Sequence, residues 1–397
     1  MNRLLGLALV LLGAAEVLIA HWALLVLRGS GLSPAMAAPA FVGVVAGNAL
    51  LLPMARRRMR ARGLARVFSR TWIIGSIAAL WAGILLSMSF AALEVLLFAI
   101  GRFVEIDAST RAAVVGLGGG VAIAVGFGSI LWGYLVGQRW VSVRPVEIPL
   151  PGAAGSLAGL RIAQVTDLHI GPMLRAPKLR RYVDRINRLE PDLIVITGDI
   201  FDFDPKYVDE GCAELGRLRA RHGVFAVLGN HDVYTGAECV VEGLRQHTGI
   251  RVLRDEWIEI DVDGTRMCLA GIEDPGVGWR ERESEHPALD ELGPDIPDHL
   301  PRVLLAHRPS YFAHASRAGF PVVLAGHTHG GQLRLPFAKN FNVSRVIAHH
   351  TTGRFDIDGS TLYVSQGLGV AGLPVRLNCP REISLIRLYE REVDVLL

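Results

Sequence analysis

Five short polar blocks, each set directly behind a run of apolar residues, constrain this chain more than any other feature. They are Asp167-Leu168-His169, Gly198-Asp199, Gly229-Asn230-His231-Asp232, His307, and Gly326-His327-Thr328-His329-Gly330-Gly331-Gln332. The runs before them are Leu160 to Val165, Leu193 to Ile196, Val224 to Leu228, Val303 to Leu305 and Val322 to Leu324. Apolar runs of this length, closed by turn residues, read as buried strands. Pro177 to Leu189, with Leu179, Val183, Ile186 and Leu189 on one face, reads as an amphipathic helix ended by Pro191. Tyr207 to Ala220 reads as a second helix, capped at His222-Gly223. Strands alternating with helices predict an α/β fold, and sites in such folds form beyond the C-terminal ends of the strands. All five blocks fall there.

Each block alone has a plain explanation: a solvated Asp in a loop, a Gly-Asp turn, an Asn-His-Asp helix start, a core histidine, a glycine-rich loop. Five in order at strand ends describe one metal site. Imidazole, carboxylate and amide donors without thiolate suit Mn, Fe or Zn rather than Ca or an all-oxygen Mg site. The set is about what two divalent cations sharing one bridging carboxylate need. Two such ions bring four positive charges; Asp167 and Asp199 remove two and a bridging hydroxide one. The remaining charge of about +1 favours a phosphate oxygen, and neutral Asn230 preserves it.

Composition changes sharply near residue 140. Before it lie four apolar stretches, about Leu4 to Leu27, Ala37 to Met54, Trp72 to Ile100 and Ala112 to Val136. Each can cross a hydrocarbon core needing about 20 residues. The first has only Arg3 ahead of it and three more stretches behind it, which favours a membrane helix over a signal peptide. The fourth is rich in glycine, as packed membrane helices are. Arg56, Arg57, Arg58, Arg60, Arg62, Arg66 and Arg70 lie between the second and third stretches and mark a cytoplasmic loop. Four spans then return the chain to the cytoplasm. The expected organisation is a transmembrane domain over 1–138, a linker and leading strand over 139–159, and a catalytic domain over 160–397.

The net charge of +3 is concentrated in the arginine loop and reads as topology and attraction to anionic lipid. No basic stripe with interleaved aromatics points to nucleic acid. The cysteines at 212, 239, 268 and 379 form no C-x-x-C pair and read as reduced structural thiols. Glu16, His21 and Glu94 lie in or near the apolar stretches, where ionisable groups suggest function; Glu94 also suits the end of a shorter third helix. Trp279 to His299 is an acidic excursion, read as a solvated surface loop, with a cap over the site as the functional alternative. Pro336 to Arg354 could serve as the same cap. His349 and His350 within it follow no strand end and stay outside the metal set.

From about Arg161 to Leu388 the chain resembles the calcineurin-like metallophosphoesterase superfamily. D-x-H, G-D, G-N-H-D, H and G-H-x-H occur in family order. The longer forms Ala325 to Gln332, Gly367-Leu368-Gly369 and Leu373-Pro374-Val375-Arg376 look like its bacterial membrane-associated branch, which includes enzymes acting on UDP-2,3-diacylglucosamine and transmembrane proteins with a metallophosphoesterase domain. The resemblance implies a four-layer α/β/β/α sandwich behind a bundle of four transmembrane helices. It places Asp167, His169 and His329 on one metal, Asn230, His307 and His327 on the other, and Asp199 between them. His231 would stand beside the phosphoryl group, oriented by Asp232. The expected activity is hydrolysis of a phosphoester or pyrophosphate, with manganese, iron or zinc, at the plasma membrane and in lipid metabolism. The competing reading is a silent membrane scaffold or receptor. His231, which has no structural need to be His, argues against that.

Overall fold

The computed structural model describes residues 10–22, 64–277, 284–334, 343–346, 348–372 and 374–390. The chain divides into two compact units, Met1–Val136 and Gly137–Leu397.

In the first unit lie helices α1 (Val10–Trp22), α2 (Leu64–Gly101) and α3 (Ala108–Leu135). Two stretches, Ile74–Gly101 and Ala108–Arg139, are 28 and 32 residues long and apolar enough to cross a membrane. They match the third and fourth stretches expected from sequence. Of the first stretch the described part is the shorter α1, and the second lies outside the described residues. The described residues therefore hold two candidate spans, not four. A Cβ on Gly126 of α3 would fall on the backbone of Ala82 in α2, and one on Gly83 would meet Ala15 of α1. Backbones this close are how small residues pack helices in a membrane, and glycine there serves the helix rather than breaking it. α2 runs past Glu94, whose carboxylate pairs with Arg111 near the start of α3.

The second unit begins β1 (Val141–Leu150), β2 (Arg161–Val165), α4 (Ala176–Asn187), β3 (Leu193–Thr197), α5 (Val208–Leu215), β4 (Val224–Val227) and α6 (Asn230–His247). It continues β5 (Ile250–Val252), β6 (Glu256–Val262), β7 (Thr265–Gly271), α7 (Pro287–Asp295), β8 (Arg302–Leu305) and α8 (Phe312–Arg317). It ends β9 (Val322–Ala325), β10 (Gly353–Ile357), β11 (Ser360–Val364) and β12 (Arg381–Glu390).

The strands form two six-stranded sheets, β1-β12-β2-β3-β4-β5 and β10-β11-β9-β8-β7-β6. Side chains alternate across each strand and so divide into three cores. Ile162, Val195 and Val227 of the first sheet pack on Leu269, Val303 and Val322 of the second. Their neighbours Ala163, Ile194 and Ala226 face α4, α5 and α6 through Val183, Cys212 and Leu244. Leu304 and Val323 face α7 and α8 through Leu289 and Phe312. The layers are thus helix, sheet, sheet, helix.

Two expected features differ. α5 stops at Leu215, not Ala220, because its C-cap is Gly216, where a Cβ would meet the His247 carbonyl 2.5 Å away. The acidic excursion is no loop over 287–295: Leu289 and Leu292 are buried and make it α7, packed on the second sheet. All four cysteines are free.

Candidate metal centre

β2, β3 and β4 run parallel, so Asp167, Asp199 and Asn230 leave the same edge of the first sheet. β8 and β9 are parallel in the second sheet and deliver His307 and His327. Gln164 Nε2 ties the two sheets just behind the site, donating to Thr197 Oγ1 and to the Ala325 carbonyl, each at 3.0 Å. Asp167, His169, Asp199, His327 and His329 all have left-handed backbone, φ 48° to 69°. Non-glycine residues hold that conformation only where the surroundings impose it, at about 1–3 kcal/mol each. Close approach also demands glycine. A Cβ on Gly229 would fall on Asp199 Oδ1, and one on Gly326 would lie 2.5 Å from Asp167 Oδ2.

Two groups of donor atoms are joined by one carboxylate, and a third, of His169, Asp202 and His231, shares His169 with the first. In the first, His169 Nε2 lies 3.0 Å from His329 Nε2, and Asp167 Oδ1 lies 3.3 Å from His329 Nε2. Asp199 Oδ2 reaches His169 Nε2 at 3.5 Å. In the second, His307 Nε2 lies 3.1 Å from His327 Nδ1 and 3.3 Å from Asp199 Oδ1. Ligand atoms about 2.0–2.2 Å from a shared ion sit roughly 3 Å apart, which is the spacing found. His307 Nδ1 lies 2.9 Å from the Thr197 carbonyl. That oxygen only accepts, so Nδ1 carries a proton and Nε2 is the nitrogen that faces the site. Asn230 is buried, and its Oδ1 has no hydrogen-bond partner. A buried amide oxygen left so is costly unless something else binds it. The donors therefore fit divalent metal.

The charges agree with such a use. Burial pushes the Asp167 carboxyl above its usual range. Burial would raise Asp199 too, but the imidazoles of His307, His231 and His169 outweigh it and hold that carboxyl well below the usual range. Burial would lower His307, yet the charges of Asp199 and Asp167 lift it to about 10. Burial and the charge on His307 push His327 down to about 3. Protonated imidazole offsets the buried carboxylates here, a part that a divalent cation would take more fully.

Every residue expected from sequence lies at this edge, but one role changes. Asp232 does not orient His231. Its oxygens accept from the backbone N–H groups of Phe201 at 2.8 Å, Gly229 at 2.9 Å and Ile200 at 3.1 Å. It sits in the first turn of α6 and clamps two loops together. Burial and the charge of Asp199 raise it to about 6. The carboxylate on His231 is Asp202, whose Oδ1 lies 3.1 Å from His231 Nδ1 and 3.6 Å from His169 Nδ1. Burial would raise Asp202, but His169 and His231 outweigh it and hold it at about 2. The sequence signal for Asp202 is its place three residues beyond Asp199. Arg376 was also unassigned: it is fully buried, donates to the Gly369 and Gln366 carbonyls, and sets Nη2 3.5 Å from His329 Nδ1. His350 packs on Phe312 and Phe355, in none of the metal-binding groups found among the described residues.

The family model for calcineurin-like phosphoesterases matches residues 160–351. An uncharacterized metallophosphoesterase of Aquifex aeolicus is 32% identical over 231 residues, covering 57% of this chain and 84% of that protein. An uncharacterized metallophosphoesterase of Campylobacter jejuni is 30% identical over 247 residues, 62% of this chain and 63% of that protein. A transmembrane protein with metallophosphoesterase domain from Bos taurus is 32% identical over 253 residues, 61% of this chain and 56% of that protein. The chain belongs to the calcineurin-like metallophosphoesterases. It spans less than two thirds of the Campylobacter and bovine relatives, at 63% and 56% of their lengths.

Proposed function

We propose that the chain is a membrane-anchored phosphohydrolase using two divalent metal ions, Mn, Fe or Zn. The observation that carries this is the split of Asp199: one oxygen faces His169, the other His307. A single carboxylate placed between two imidazole sets is what a pair of ions sharing a ligand requires. Asp167, His169 and His329 would hold one ion; Asn230, His307 and His327 the other. Bound there, the metals supply a lowered water pKa and an in-line clamp on the phosphoryl group.

The chain's own residues do the rest. His231 has a side chain 16% exposed, so its ring reaches the open side of the site. Asp202 takes its Nδ1–H and leaves Nε2 to meet a phosphoryl oxygen or to protonate the leaving oxygen. Asp232 keeps the loops after β3 and β4 in register, so that His231 and Asp199 stay together; the His231 N–H donates to Asp199 Oδ1 at 2.8 Å.

The two apolar helices support a membrane anchor, and the bovine relative's name includes the word transmembrane. With the arginine-rich segment ahead of α2 inside, α2 and α3 would carry the chain out and back, and the catalytic unit would face the cytoplasm. The test is hydrolysis of p-nitrophenyl phosphate and bis(p-nitrophenyl) phosphate by the full chain, metal-stripped and then supplied with Mn, Fe or Zn. Metal-dependent turnover of either is expected. Metal binding without turnover of either ester would instead support the scaffold.

A further inference from the structure

Arg376, between β11 and β12, is fully buried. A guanidinium has five N–H groups, and here backbone carbonyls take all of them. Nε and Nη2 donate to the Gly369 carbonyl at 3.0 Å and 2.7 Å, and Nη2 also donates to the Gln366 carbonyl at 2.9 Å. Nη1 donates to the carbonyls of Cys379 and Pro380, each at 3.3 Å. The carboxylates whose charge acts on it are Asp167 and Glu382, and neither is hydrogen-bonded to it. An apolar side chain of similar volume would fill this space without the desolvation of a charge, so packing alone does not account for the residue.

Two relays lead from this guanidinium, and both end on the side of the metal centre built from Asp167, His169 and His329. Gly369, whose carbonyl takes two of the N–H groups, donates its own N–H to the Asp167 carbonyl at 2.6 Å. The backbones are so close there that a Cβ on Gly369 would lie 2.2 Å from that oxygen. Cys379, whose carbonyl takes a third N–H, places its Sγ 3.2 Å from the His329 carbonyl. Nη2 itself stands 3.5 Å from His329 Nδ1. With its protons engaged by carbonyls, it meets that ring as a packing contact rather than as a donor. The His307 ring is fixed by the Thr197 carbonyl at its Nδ1; the His329 ring has the guanidinium in that place. None of the hydrogen bonds of Arg376 goes to Asn230, His307 or His327.

Resting on the two-ion reading above, we propose that Arg376 is the positioning residue of the ion held by Asp167, His169 and His329. It fixes the Asp167 turn through Gly369, and it fixes His329 through Cys379 and by direct contact. It thereby sets the 3.3 Å between Asp167 Oδ1 and His329 Nε2. Groups behind the ligands that hold them in place typically contribute about 10–100-fold in metal affinity. The ion between Asn230, His307 and His327 does not depend on it.

The test is Mn binding by the full chain, read from the EPR signal of free Mn, in two backgrounds. His307→Ala leaves the Asp167–His169–His329 side intact, and His329→Ala leaves the other. Arg376→Lys keeps the charge and loses the planar fork. It should raise the Kd for Mn about tenfold in the His307→Ala background and change it less than about twofold in the His329→Ala background. Gly369→Ala, which pushes the Asp167 turn aside with Arg376 still in place, should give the same pattern. Equal weakening in both backgrounds overturns the proposal, because the residue then holds the whole unit and not one side. No weakening in either background overturns it too, as does loss of the cooperative melt in both variants. A parent chain that binds no Mn sinks the two-ion reading itself.

Discussion

The two sides of Asp199 are built from different stock. The first side combines Asp167 and Asp199 with His169 and His329, and all four are buried. The second combines Asp199 with His307 and a half-buried His327, and the family pattern adds neutral Asn230. Carboxylates bring charge to a cation; amides bring only a dipole. The first side should hold its ion tightly, and the second should exchange its ion and be the side that opens towards substrate. On the two-ion reading proposed above, one fold edge would carry a fixed ion and a labile one with nearly the same residue types.

Asp199→Asn tests what the two sides share. It should lower hydrolysis by at least about 10³-fold and reduce bound metal at both sides, measured by metal analysis of the purified protein. Full metal content and full rate together would end the shared-ligand description. His231 belongs to neither side, so His231→Ala should keep both ions and lose about 10²–10⁴-fold in rate; a parallel fall in metal would make it a ligand.

Asp202→Asn sharpens this further. The His231 ring loses the carboxylate that holds its Nδ1, so turnover should fall about tenfold with bound metal unchanged. An unchanged rate would mean that Asp202 only packs. The smallest effect is expected from Asn230→Asp, which makes the second side resemble the first. Graded chelation should then no longer remove one ion before the other. Turnover should fall severalfold, about tenfold at most, because the site's excess positive charge is gone. Unchanged stepwise release would show that carboxylate count does not set the order.

The strand-end ligands were legible because two signals coincide at them: a short apolar run and a polar block that needs glycine beside it. The helix face Leu179, Val183 and Ile186 was legible by its period, and all three are buried in the core over α4. β6, β7 and β12 were harder to see. β6 alternates with an exposed face and pairs antiparallel with β7, so its run is broken by Glu259 and Asp261. β12 lies between β1 and β2 although it is the last strand in sequence, and no local pattern announces such a partner. Asp232 was expected to orient His231 because adjacency in sequence favours it, and nothing local singles out Asp202 for that part. The turn of the backbone after Asn230 instead aims Asp232 at three amide hydrogens and leaves His231 to a residue from another loop.

Gly229 and Gly326 contribute no charge, no proton and no ligand, yet neither has room for one more carbon. The set of positions at which a random change would silence this site is therefore larger than the set that does its chemistry. A variant surveyed only by its loss of function would place these two glycines among the histidines and aspartates. Only measuring how tightly the loops pack, rather than what they bind, would tell the two kinds of position apart.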